Sequence, residues 1–382
     1  MMVVSIKTKI ITLIKRHRLL YVIFYVVASS FINLLKLFVK ADDKLILFVS
    51  SGGRRYTDSP KAIFEYMRID ERFRDYIFVW AFVNPAEFPE IENKVKIDTI
   101  KYFIITLKAR CWVTNVNIQR GLSYKGKRTF FLYTGHGSPI KKCGSAVKNK
   151  TTFRSIGKSS SDACLAQSDF EMEIRGRHRS YLTGTPTNDI LANYNEEYRR
   201  KIRKELGIKD GKKAILYAPT FREYKSGDSY EMPQVDFEKW HEWLGDSFVI
   251  LYRAHPVAKS SIIKNGDWFV DVSNESDIEP LMIASDMLIS DYSGLITDYS
   301  IMHKPIYLWT YDYEQYDKFR GLYFDVRKVL PSTEKEEKLL SMIKEGYSKE
   351  QNEMLYRFQQ EYATIYGSAT RNAVDLIFNK IS

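Results

Sequence analysis

The sequence predicts an α/β protein of two parallel-sheet domains facing a cleft, preceded by a membrane-associated helical segment. Three observations carry this. Strand-like and helix-like stretches alternate along the chain and do so twice, with a restart near residue 194. The 382 residues exceed one typical domain and suffice for two cores. Residues 1–40 hold seven basic side chains (Lys7, Lys9, Lys15, Arg16, Arg18, Lys36, Lys40) and no acidic one, so only +4 of the +11 formal charge belongs to the rest of the chain.

The first element is the uncharged run 19–35, seventeen residues against the roughly 20 a spanning helix needs. Ser29, Asn33, Lys36 and Lys40 recur at helical spacing, which puts them on one face with apolar residues opposite. This predicts a helix lying in the membrane interface, with lysines near anionic headgroups contributing roughly 1 kcal/mol each. A spanning anchor and a helix packed on the protein's own core are the alternatives. No small-x-small site ends the run and a strand-like segment follows at once, which argues against a cleaved signal peptide.

Strands are then expected at 44–50, 76–82, 111–116, 129–133 and 162–166, and in the second set at 213–218, 248–253, 268–272, 287–290 and 306–309. Ser59-Pro60 is read as the N-cap and first residue of a helix. The tail reads as helices, with apolar spacing at Leu355, Phe358, Tyr362 and Ile365. Domain boundaries are placed at 1–40, 41–190, 191–350 and 351–382, the last a helix crossing back to the N-terminal domain. Cys111, Cys143 and Cys164 form no CxxC pair, which disfavours a disulfide scaffold or cysteine-rich zinc site and suits a reducing cytosolic face.

Open parallel sheets bind ligands where loops leave the carboxyl ends of strands, and the unusual residues fall there. Thr134-Gly135-His136-Gly137-Ser138-Pro139 leaves an uncrowded histidine suited to proton transfer, with Lys141 and Lys142 opening an expected helix. Arg253-Ala254-His255-Pro256 offers phosphate partners. Ser293 and Gly294 start a helix whose N–H groups would meet an anion. Thr220 and Arg222 follow another strand. Taken singly, each has a bland reading as a turn or cap, and His17, His178, His241 and His303 have no such setting. No P-loop, HExxH or GxGxxG is present, and Asp312 with Glu314 is poor evidence for a metal, so a metal-independent transfer with no cofactor is expected.

Seven ordered segments resemble the bacterial CDP-glycerol glycerophosphotransferases of teichoic acid synthesis. Segment 52–61 resembles Gly-x-x-Tyr-x-Asp-x-Pro-Lys, and 135–139 resembles His-Gly-Thr-Pro. Segment 185–191 resembles Pro-x-Asn-Asp, 216–222 Leu-Tyr-Ala-Pro-Thr-Trp-Arg, and 253–256 Arg-x-His-Pro. The remaining two are 290–299, similar to Thr-Asp-Tyr-Ser-Ser…Asp-Tyr, and 320–325, similar to Arg-Gly-x-Tyr-Phe-Asp. Ser138 stands where the family usually has threonine, Phe221 where it has tryptophan, and Gly294 where it has a second serine.

The resemblance implies a GT-B fold of two Rossmann-like domains, monotopic attachment to the cytoplasmic face of the membrane, and attack of an acceptor hydroxyl on the β-phosphorus of CDP-glycerol. It makes His136 the base. His255, Ser293, Gly294, Arg253, Thr220 and Arg222 would hold the donor phosphates, with Gly135, Gly137, Ser138, Lys141, Lys142 and Asp58 on the acceptor side. Implied partners are a CDP-activated alditol, an undecaprenyl-diphosphate-linked acceptor and an anionic membrane surface, in teichoic acid or capsule-like polymer synthesis. The chain is expected to be the bare catalytic unit without the long N-terminal extension of some polymerases. A CDP-ribitol transferase, a GT-B sugar transferase and a membrane-surface binding module are the competing readings. The basic excess lies beside an apolar helix and not on an aromatic-studded groove, which disfavours nucleic acid.

Overall fold

A computed structural model describes residues 17–143, 146–147, 161–222, 234–254 and 267–382. Contacts divide the chain into two compact units, 1–135 with 151–165 and 371–382, and 136–150 with 166–370. The segments 136–150 and 166–190 thus group with the second unit, whereas the sequence boundaries had them in the first.

In the first unit α1 (Arg18–Leu35) precedes β1 (Asp42–Val49), α2 (Asp58–Met67), β2 (Ile77–Phe82) and β3 (Lys94–Lys96). Then come α3 (Ile100–Lys108), β4 (Ala109–Thr114), β5 (Phe130–Tyr133) and β6 (Ala163–Ala166). The sheet of this unit runs β3-β2-β1-β4-β5-β6 with every pairing parallel, and β7 (Ser180–Leu182) falls among the residues of the second unit. Leu45 to Val49 are all buried, as a strand covered on both faces requires. The strand order reverses direction between β1 and β4, which makes their carboxyl ends the place for a ligand. α2 begins at Asp58, so Ser59 and Pro60 lie in its first turn and are not cap and first residue.

The N-terminal helix makes contacts that its own sequence pattern does not show. Two of its polar residues bond the protein: Asn33, exposed, donates Nδ2 to Ser123 O at 2.9 Å, and buried Ser29 accepts on Oγ from Ser123 N at 3.2 Å. Ile32 is buried beside them in the core that includes Leu47 and Trp112. The turn at Ser123 has backbone groups to satisfy, and Ser29 and Asn33 satisfy them. The opposite, apolar face is bare, with Leu19 72%, Val27 63% and Phe31 55% exposed, followed by Phe38 at 80%. Among the described residues no helix is long and apolar enough to cross a membrane.

The second unit contains α4 (Asp169–Arg175), α5 (Asp189–Asn193), α6 (Glu196–Glu205), β8 (Lys213–Tyr217), α7 (Phe237–Leu244) and β9 (Phe248–Tyr252). It continues with β10 (Phe269–Asp271), α8 (Glu279–Ala284), β11 (Met287–Ser290), α9 (Leu295–Ser300), β12 (Ile306–Trp309) and α10 (Tyr313–Phe319). β13 (Ser332–Thr333), α11 (Glu336–Glu345) and α12 (Lys349–Tyr362) close it, and α13 (Ala369–Ile381) ends the chain. Its sheet runs β10-β9-β8-β11-β12-β13 and every pairing is parallel, with the reversal between β8 and β11. The Asp189 carboxylate takes the Ala369 and Thr370 N–H groups at 2.8 and 2.7 Å, so a motif residue anchors the start of α13. β3, β7 and β13, two or three residues each, are too short to show a period in sequence.

Candidate active site

His136 follows β5 and is exposed between two glycines. Gly135 and Gly137 have φ of 76° and 100°, a left-handed region that favours glycine. A Cβ on Gly137 would meet nothing within 4 Å, so conformation and not space calls for glycine there. The residues after His136 are held from below. Gln167, fully buried after β6, donates Nε2 to Ser138 Oγ at 2.6 Å and to Asp298 Oδ1 at 3.1 Å. Asn188, also buried, donates to the same Asp298 oxygen at 2.7 Å. Arg175 donates to Gly137 O at 3.2 Å and is itself held by Glu171, its Nε donating to Oε1 at 2.8 Å.

Three of these residues, Gln167, Glu171 and Arg175, were not picked from the sequence, and Asn188 and Asp298 were seen only as parts of motifs. Gln167 had a signal, since it sits immediately after a strand. Glu171 and Arg175 read as an ordinary i,i+4 helix pair.

At the reversal between β8 and β11 the chain spends its cation on itself. Arg222 is 0% exposed. It donates to Asp291 at 2.8 Å through Nη1, and to Asp312 at 2.6 Å through Nε and 3.0 Å through Nη2. The rings of Tyr292, Tyr311 and Tyr316 stand 5.2 to 5.3 Å from its guanidinium carbon. Burial by itself would lower the Arg222 pKa, and the Asp291 and Asp312 carboxylates more than offset it. The expected phosphate contact from Arg222 is therefore corrected: its guanidinium is held by two buried carboxylates. Asp312 finds its purpose here, as Arg222's partner. The neighbouring Thr220 hydroxyl is buried and has no hydrogen-bond partner among the described residues, a polar group a ligand can satisfy.

Two further expectations change. Lys141 and Lys142 do not open a helix. Lys141 forms an antiparallel bridge with Leu322, and Lys142 N donates to Gly321 O at 2.8 Å, because the 320–323 segment supplies backbone partners that a helix would have to find locally. The α9 start is less open than expected: Ser293 Oγ accepts from Leu295 N at 3.3 Å, Gly294 is the cap, and the helix has only six residues. Arg253 donates to Val272 O at 3.2 Å at the end of β9. His255 lies outside the described residues.

The first unit has its own strand-end cluster. Asn115, buried after β4, donates to Asp58 Oδ2 at 2.6 Å and accepts from Ser51 N at 2.9 Å. Ser51 and Asp58 hold φ of 49° and 66°, strain for residues other than glycine that concentrates at ligand sites. Asp58 is thus fixed at the β1–β4 reversal by a residue the sequence reading missed. Among the described residues no group of three or more His, Cys, Asp or Glu gathers as a metal site.

These loops carry the segments singled out above by their place at strand ends. Residues 31–379 match the family CDP-Glycerol:Poly(glycerophosphate) glycerophosphotransferase. The chain belongs to this family. It is 32% identical over 373 residues to a teichoic acid poly(glycerol phosphate) polymerase of Staphylococcus epidermidis, covering 88% of this chain and 51% of that one. The corresponding Bacillus spizizenii polymerase is 28% identical, with 95% and 98% covered. The chain therefore spans about half the first relative's length and nearly all of the second. A solved variant of the wall teichoic acid polymerase TagF, soaked with CDPG, superposes with TM-score 0.80 at 27% identity, over 96% of this chain and 97% of that one. The GT-B-like, parallel α/β fold expected from the sequence is the fold of this family member.

Proposed function

We propose that the protein transfers glycerol phosphate from CDP-glycerol to a hydroxyl of a lipid-linked acceptor, releasing CMP, in the synthesis of a teichoic-acid-type surface polymer. The family match across residues 31–379 carries this reading. His136, exposed on a loop whose other members are tied down, is the base that takes the acceptor's proton as its oxygen bonds to the β-phosphorus. The bond from that phosphorus to the bridging oxygen breaks and CMP leaves. Thr220, Arg253, Ser293, Gly294 and His255 are assigned to the donor side. Asp58 and the 135–142 loop are assigned to the acceptor, read as undecaprenyl-diphosphate-linked. The transfer is proposed to need no metal and should persist in EDTA.

The bare apolar face of α1 supports peripheral attachment to an anionic membrane, at its cytoplasmic side. Because the other face packs on the core, point charges at Phe24, Val27 and Phe31 test this better than deleting the segment. Such variants should stay folded and leave anionic vesicles on sedimentation; unchanged sedimentation would refute the attachment. For the reaction itself, glycerol-labelled CDP-glycerol with a lipid-linked acceptor should place label in the lipid fraction in step with CMP release. CMP release with the label left in water would reduce the activity to hydrolysis.

A further inference from the structure

Gly294 has an ordinary helical backbone, φ −57° and ψ −17°, so its conformation gives no reason for glycine. Its surroundings do. A Cβ there would lie 2.5 Å from Ser138 O and 3.2 Å from Ser138 N, well inside van der Waals contact with backbone that cannot swing aside. The same Ser138 receives the buried Gln167 Nε2 on its hydroxyl at 2.6 Å, while Gln167 is itself fixed by Asp298 and by Asn188, whose Nδ2 donates to Gln167 Oε1 at 3.3 Å. The residue two places after His136 is therefore clamped twice, sterically by the start of α9 and by a hydrogen bond from the end of β6.

We propose that Gln167 and Gly294 are positioning residues that set the height and direction of the His136 imidazole. This rests on reading His136 as the base. The physical need is plain: a catalytic group displaced by about 1 Å can lose about 10²-fold in rate. The position also explains two departures noted in the sequence. Serine at 138 keeps the hydroxyl that threonine would present to Gln167, so that exchange preserves the bond. A serine at 294 would collide with the 138 backbone, so glycine there is coupled to this loop's close approach.

The test is a double-mutant cycle on the full chain, reading CMP release from CDP-glycerol and donor binding by calorimetry. Gln167→Met and Gly294→Ala should each lower kcat about 10- to 100-fold, from the misplacement estimate above, and Gln167→Met should do so with donor affinity nearly unchanged. In a His136→Ala background the same changes should cost little more, because the group they position is gone. Equal fold-losses with and without His136 would overturn the proposal, and so would no loss in either single variant while His136→Ala is inactive. Full turnover by His136→Ala would instead remove the base reading on which the proposal rests. Should Gln167→Met fail to fold, Ser138→Ala removes only the accepting hydroxyl. It should lose rate that Ser138→Thr recovers; equal losses in the two would contradict the role of the bond.

Discussion

Two loops of the second unit are built from the same materials and end in opposite states. The 220–222 loop is tied to carboxylates at the ends of neighbouring strands, and its cation, Arg222, is enclosed by two aspartates and three tyrosines. The 136–138 loop is tied just as firmly through Gly137 O and Ser138 Oγ, yet its titratable group stands in solvent. In the first the functional-looking side chain is the tie. In the second the ties run through backbone and a hydroxyl, and the His136 side chain is exposed. A histidine held by its neighbours can do chemistry, whereas an arginine that does the holding cannot also grip a substrate.

The contrast can be broken in a graded way. His136→Ala should lower turnover about 10²–10⁴-fold with donor binding and thermal unfolding intact; a matching fall in melting temperature would make the histidine structural. Arg222→Met should do the reverse. It strands two carboxylates, so stability should fall by about 3–5 kcal/mol in urea unfolding. Unchanged stability with lost donor binding would return Arg222 to the phosphate site. Asp312→Asn keeps Asp291 in place and should lose less, about 1.5–3 kcal/mol for hydrogen bonds to a charged group. Smallest of all, Thr220→Val should leave stability almost untouched and raise the KM for CDP-glycerol several-fold, about 1 kcal/mol for one hydrogen bond. An unchanged KM would take Thr220 out of the donor site.

The strand sequence was readable because buried parallel strands are continuous apolar runs: 287–290 and 306–309 were placed to the residue. His136, Ser138 and Asp58 were readable because they sit in strand-end loops. What escaped depends on distance along the chain. Arg222 meets its partners 69 and 90 positions away, so spacing could not show that its charge was already satisfied. Ser29 and Asn33 marked one helical face, but only Ser123, 94 and 90 residues on, shows that both bond the protein's own backbone. Lys141 was read as helical from local pattern, and the 322 backbone overrode it.

The most direct test of the transferase assignment offers the full chain CDP-glycerol, CDP-ribitol and several UDP-sugars in turn, with a lipid-linked acceptor, and measures the nucleotide released. CMP from CDP-glycerol, with little from CDP-ribitol and no UDP, is the predicted result. UDP release from a sugar nucleotide, or no CMP from CDP-glycerol, would contradict it.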